Sequence, residues 1–107
     1  MKSDSALSLL AALAQETRLA IFRLLVRAGC DGLAAGTIAA ELSVPAATLS
    51  FHLKELKSAG AIRCTRKGRS LVYRPDFSVM GDLVNFLIAH CCEGLEVTAT
   101  TQRGPMP

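Results

Sequence analysis

A chain of 107 residues and 11.3 kDa is enough for one domain. Half of the residues are apolar and a fifth are charged, and five aromatics with no tryptophan point to an aliphatic, helical core rather than a disordered tail. No apolar run approaches the roughly 18 residues of a membrane span. No glycine-rich phosphate loop, Ser/His/Asp set or catalytic carboxylate pair can be assembled either, so a small binding or regulatory module is expected and an enzyme is not.

Met1-Lys2 followed by an apolar run has the outline of a short secretory signal, but Asp4 interrupts the positive leader. Leu7, Leu10 and Leu13 recur at helical spacing and predict a first helix over about 5–14. Glu16-Thr17 offers a break and a cap before a second helix to about residue 28. Its Leu19, Ile21, Phe22, Leu25 and Val26 cover a wide arc, which predicts a largely buried helix with Arg23 and Arg27 on the remaining side. Gly29-Cys30-Asp31-Gly32 ends it.

A short third helix is predicted over 36–42, with Ile38 and Leu42 four apart. Pro45 suits the first position of the next helix. There Leu49, Leu53 and Leu56 form one stripe with His52 at its margin, while Ala47, Thr48, Ser50, Phe51 and Lys54 point away. Two short helices joined by a tight turn, the second with small polar residues outside, read as helix-turn-helix. After Ala59-Gly60 the rhythm alternates. Ile62-Arg63-Cys64-Thr65, the basic turn Arg66-Lys67-Gly68-Arg69 and the return Leu71-Val72-Tyr73 predict a β-hairpin with a cationic tip. A last helix is expected over about 77–92, with Val79, Leu83, Phe86, Leu87, Ala89 and His90 on its apolar side. The fold class is mainly α with a small hairpin wing. Residues 1–93 make up the domain, and 94–107, rich in Thr, Gly and Pro, are expected to be a disordered tail.

Charge is distributed unevenly. Residues 44–74 hold seven Lys/Arg and one acid, Glu55, for +6, whereas the remainder holds five basic and eight acidic residues, for −3. That is the footprint of a nucleic-acid face. A helix fits the major groove, where side chains read base edges while phosphate contacts set the register. Thr48, Ser50, Phe51, His52 and Lys54 are the candidate contacts on the reading helix, with His52 weighed against a packing role. Arg66, Lys67 and Arg69 are those on the hairpin tip. Winged helices also bind partner proteins, and such an interaction module is the reading from a different class.

Ser50-Phe51-His52-Leu53-Lys54-Glu55-Leu56, then Ala59-Gly60-Ala61-Ile62, then Arg66-Lys67-Gly68-Arg69-Ser70-Leu71-Val72-Tyr73 resemble the ArsR/SmtB family of winged-helix metalloregulators. Thr17-Arg18-Leu19-Ala20-Ile21-Phe22 is similar to that family's second-helix pattern, and the resemblance spans about residues 5–93. It implies a homodimeric repressor that pairs through its first and last helices and lets go of its operator when an inducer binds. Two-fold pairing would set it on an inverted repeat in double-stranded DNA. The N-terminal run, read as an ordinary helix, together with reduced thiols makes the expected location cytoplasmic. No permanent cofactor is implied.

The family's founding arsenic site, a Cys-x-Cys with a third Cys, falls here on Ala34, Gly36 and Ala39 and is absent. Its last-helix zinc site would find half of its ligands in His90 and Glu93, but Asp76-Phe77-Ser78 lacks the first histidine, and structural zinc wants four ligands. Cys91 and Cys92 remain. Neighbouring cysteines make poor structural disulfides, whereas soft thiolates suit thiophilic ions. The pair resembles a branch of As(III) sensors with a vicinal Cys pair here, often completed by a third tail cysteine. Thr98 stands near that position, and the tail has none. Arsenite prefers three thiolates and a methylated or aryl As(III) only two, so either an organoarsenical is favoured or Cys30 is the third ligand. Cys64, in step with Ile62, is expected in the core. A thiol redox or reactive-sulfur switch and a zinc response are the alternative signals.

Overall fold

A computed structural model describes residues 1–95. The expected tail, from residue 96 onward, lies outside the described residues. Five helices surround a small antiparallel sheet in the order α1 (Ser3–Leu13), α2 (Glu16–Ala28), a 3-10 turn (Gly29–Asp31), β1 (Leu33–Ala34), α3 (Ala35–Leu42), α4 (Ala46–Ser58), β2 (Ile62–Lys67), β3 (Ser70–Pro75) and α5 (Phe77–Ile88). The expected architecture, mainly helical with a hairpin wing behind a helix-turn-helix, is the one observed. Among the described residues no helix is long and apolar enough to cross a membrane.

The core is aliphatic, and its largest fully buried side chains are Leu9, Ile21, Leu25, Ile38, Leu49 and Leu56. α1 buries Ala6, Leu9 and Ala12, not the leucine series expected from spacing. Leu7 is 66% exposed and Leu10 is exposed as well, and only Leu13 of that series packs on the core. The two series sit one residue apart, about 100° around the helix. The small alanines let α1 approach its neighbours closely, which turns the leucines outward. α2 shows the same partial correction: Ile21, Leu24 and Leu25 are buried, while Leu19 and Val26 stay exposed. Its N-terminus is capped by Gln15, whose side chain accepts from the Arg18 N–H at 2.8 Å.

β1 was not expected, because two residues carry no periodicity. It exists because Leu33 and Ala34 pair with Tyr73 and Val72 of β3, which places β3 at the centre of the sheet. Gly32 permits that approach. With φ +71° it is already in a glycine conformation, and a Cβ there would meet the Tyr73 carbonyl oxygen at 2.6 Å.

α3 and α4 join through Ser43, which is left-handed at φ 55°. Pro45 is the residue before α4 rather than its first helical residue, and its carbonyl accepts the Leu49 N–H at 2.9 Å. β2 and β3 run further than their alternation suggested. Arg66 pairs with Leu71 and Lys67 with Ser70, leaving Gly68-Arg69 as a two-residue turn. Gly68 alone in that turn has positive φ, at 62°, as a type II′ hairpin requires. Asp76 starts α5, accepting from the Val79 N–H at 3.0 Å while its own N–H donates to the Ala61 carbonyl. α5 buries Leu83 but leaves Val84, Leu87 and Ile88 exposed, and it stops at Ile88, short of the expected residue 92. Ala89 turns away from the helix at ψ 138°, and no core contact holds a further turn.

Candidate nucleic-acid interface and thiol site

α4 is fixed from beneath by Leu49, His52, Leu53 and Leu56, all buried. The opposite face presents Thr48, Ser50, Phe51 and Lys54, all exposed as expected. Phe51 is the unusual member. More than half of it is exposed, an apolar ring among small polar residues that serves no core. It suits contact with a thymine methyl in a major groove. His52 leaves this set. It is buried, with Nδ1 accepting from Nη1 of Arg18 at 3.3 Å and its ring edge-on to Phe51 at 5.5 Å. A side chain held beneath the helix cannot reach a groove.

The wing carries Arg66, Lys67 and Arg69, all exposed. Successive residues of a strand leave opposite faces, so Arg66 and Lys67 splay to the two sides of the ribbon, with Arg69 at its tip. The structure adds Arg63, which the sequence reading did not single out. It is exposed and lies 4.0 Å from the Asp76 carboxylate, joining the base of the wing to the start of α5. Its membership of the +6 segment was the one available signal.

The thiols lie just past α5. Cys91 N–H donates to the Ile88 carbonyl and Glu93 N–H to that of His90, and the intervening turn places His90 at φ 65° and Cys92 at φ 64°. Two non-glycine residues in left-handed backbone within three positions are uncommon. The result brings the two sulfur atoms to 3.1 Å, both exposed. The shared hydrogen bond with Cys91 holds the Cys92 thiol above its usual range. His90 Nδ1 and Glu93 Oε1 are 2.9 Å apart, so the two residues of the half zinc site pair with each other.

The structure therefore brings Cys91 and Cys92 together but does not bring Cys30 to them. Cys30 is exposed in the 3-10 turn, and among the described residues no three His, Cys, Asp or Glu side chains gather as a metal site. Cys64 is half-buried rather than core. It stands opposite Tyr73 in the sheet, and burial first, then the neighbouring Cys64, pushes the Tyr73 hydroxyl up from its ordinary value.

A helix-turn-helix domain family matches residues 13–65. An ArsR-like transcriptional regulator from Rhodococcus sp. RHA1 is similar at 27% identity and TM-score 0.75, over 84% of this chain and 82% of that one. From Mycobacterium bovis, a homodimeric winged helix-turn-helix DNA-binding domain described as a possible ArsR-family regulator aligns at 29% identity and TM-score 0.64, over 87% and 86% of the two chains. A crystal structure of a possible transcriptional regulatory protein fragment from that organism is 31% identical at TM-score 0.61, over 78% and 90%. Reduced HlyU from Vibrio cholerae is 26% identical at TM-score 0.64, over 84% and 92%. No curated protein matches.

Proposed function

We propose that the chain is an ArsR-type winged helix-turn-helix regulator, and within that type a dimeric repressor released from operator DNA when trivalent arsenic joins Cys91 and Cys92. DNA reading rests on α4 and the wing. Thr48, Ser50 and Phe51 would meet base edges, and Lys54, Arg66, Lys67 and Arg69 would meet phosphate. Assembly rests on the outward apolar residues that the single chain leaves uncovered: Leu7 and Leu10 on α1, and Val84, Leu87 and Ile88 on α5. The homodimeric relative supports their pairing across a two-fold axis, which would set two reading helices about 34 Å apart on an inverted repeat.

The observation that carries the ligand is the 3.1 Å sulfur separation. One atom bonded to both sulfurs at an ordinary metal–thiolate length of about 2.3 Å would subtend about 85° between them. That suits the pyramidal bonds of a trivalent arsenic with a lone pair and is too acute for tetrahedral zinc. The chemistry balances with thiols as reactants. R–As(OH)2 and two S–H groups give R–As(S)2 and two waters, forming two As–S bonds and breaking two As–O bonds with no change in oxidation state. R is a methyl or aryl carbon in an organoarsenical and a hydroxyl in arsenite. With only two sulfurs gathered, organoarsenicals are the better fit. Occupancy would reshape the turn that leaves α5, and an inducer releases DNA only by binding the DNA-free form more tightly.

The test uses the duplex that the protein selects from a random-sequence pool. Titration with phenylarsine oxide, arsenite and zinc should release it in that order of effectiveness. Zinc acting alone would overturn the arsenic reading and leave the DNA reading standing. The same sulfur separation favours one other signal, oxidation of the pair by hydrogen peroxide to a disulfide and two waters. Release by peroxide but not by arsenicals under reducing conditions would select it.

A further inference from the structure

His52 is the buried polar side chain of the described core, and the DNA-facing surface does not use it. Arg18, in the first turn of α2, reaches it with Nη1 while its Nε donates to the Ala12 carbonyl at the end of α1. A guanidinium carries five N–H donors and no acceptor. The bond therefore requires a His52 ring whose Nδ1 has no proton, the neutral form protonated on Nε2. Two hydrogen bonds thus link the end of α1, the start of α2 and the middle of the reading helix.

We propose that Arg18 is a positioning residue for DNA reading: through the unprotonated Nδ1 of His52 it holds α4 in its reading pose, and protonation of His52 undoes that hold. The inference rests on the DNA-binding function proposed above. A protonated imidazole has no acceptor and sets a second cation against the guanidinium. Among the described residues Arg18 is the ring's one hydrogen-bond partner. α1 and α3 each carry one carboxylate, Asp4 and Glu41, and both are exposed. The other charged groups of α2 and the cations of β2 are exposed as well. On α4 itself, Glu55 lines with Arg18 and Ser58 a pocket between α1, α2 and α4. It is the carboxylate toward which a displaced Arg18 would turn. The sign is therefore the reverse of the ordinary one. Added positive charge usually tightens duplex binding, whereas here acid should weaken it.

The selected duplex is bound at about pH 8 and about pH 5.5 by the wild type and by His52→Asn. Asn Oδ1 can occupy the Nδ1 position and accept from Arg18 without titrating. Wild-type affinity should fall about tenfold on acidification, as expected when one charged hydrogen bond is broken, and His52→Asn should hold or tighten. Equal profiles for the two would overturn the proposal. Should His52→Asn fold poorly, the ring nitrogen shifts of wild-type His52 at about pH 8 decide without DNA. A proton on Nε2 supports the contact and one on Nδ1 overturns it. Failure to select any duplex at about pH 8 would overturn the DNA reading, and the nitrogen shifts would still judge the contact.

Discussion

The reading helix and the thiol turn are built on opposite principles. α4 is gripped along its whole length by buried side chains, so its outer face is presented by the core itself. The turn after α5 has exposed residues on every side, two of them in left-handed backbone, and is held by short-range hydrogen bonds. A surface that must match a groove gains from rigidity. A sensor must differ between two states at a cost that one ligand can supply, and local structure outside the core meets that condition.

The sharpest contrast is in stability. Leu56→Ala beneath the reading helix should cost about 2–5 kcal/mol in urea unfolding, since a fully buried leucine leaves a cavity. Cys91→Ser and Cys92→Ser should stay within about 0.5 kcal/mol of wild type, as exposed substitutions do. Equal losses at both places would erase the distinction. Next in size is assembly. Leu87→Glu places an unpaired charge on the outward face of α5 and should give monomers whose operator affinity is down by about 100-fold, checked by sedimentation and binding together. Leu83→Glu is the poorer probe, because Leu83 belongs to the core of the single chain and its loss would confuse unfolding with dissociation.

Smaller effects separate positioning from reading within the DNA surface. Alanine at Arg66, Lys67 and Arg69 should weaken selected and random duplexes alike and reduce the salt slope by about 0.9 for each phosphate left unneutralised. Ser50→Ala should cost about 1–3 kcal/mol on the selected duplex and leave random DNA unaffected. An unchanged slope in the wing triple variant would remove the wing from the interface.

The gripped region was also the legible one. Leu49, Leu53 and Leu56 announce the buried face of α4 because their 3.6-residue period and their burial share one cause, and the end of α2 follows from Gly29, whereas its cap is Gln15 and not the expected Glu16-Thr17. His52 sits at the edge of that stripe, where a wheel cannot tell buried from exposed. Only the position of Arg18, 34 residues away in sequence, decides it. On α1, Ala6-Leu9-Ala12 and Leu7-Leu10-Leu13 have the same period, so periodicity cannot tell which series is buried, and close packing of helices selects the first. Cys91 and Cys92 were legible as chemistry. Their turn was not, since neither glycine nor proline interrupts residues 86–93 to mark where α5 stops.

In the proposed mechanism the thiol turn, and not the core, carries the signal. That role is tested most directly with the Cys91→Ser/Cys92→Ser double variant bound to the selected duplex and titrated with phenylarsine oxide beside the wild type. The two proteins should start at equal affinity, the wild type should be released at about one arsenical per thiol pair, and the variant should not be released. Release of the double variant at the wild-type concentration would contradict it, placing the inducer site elsewhere in the molecule.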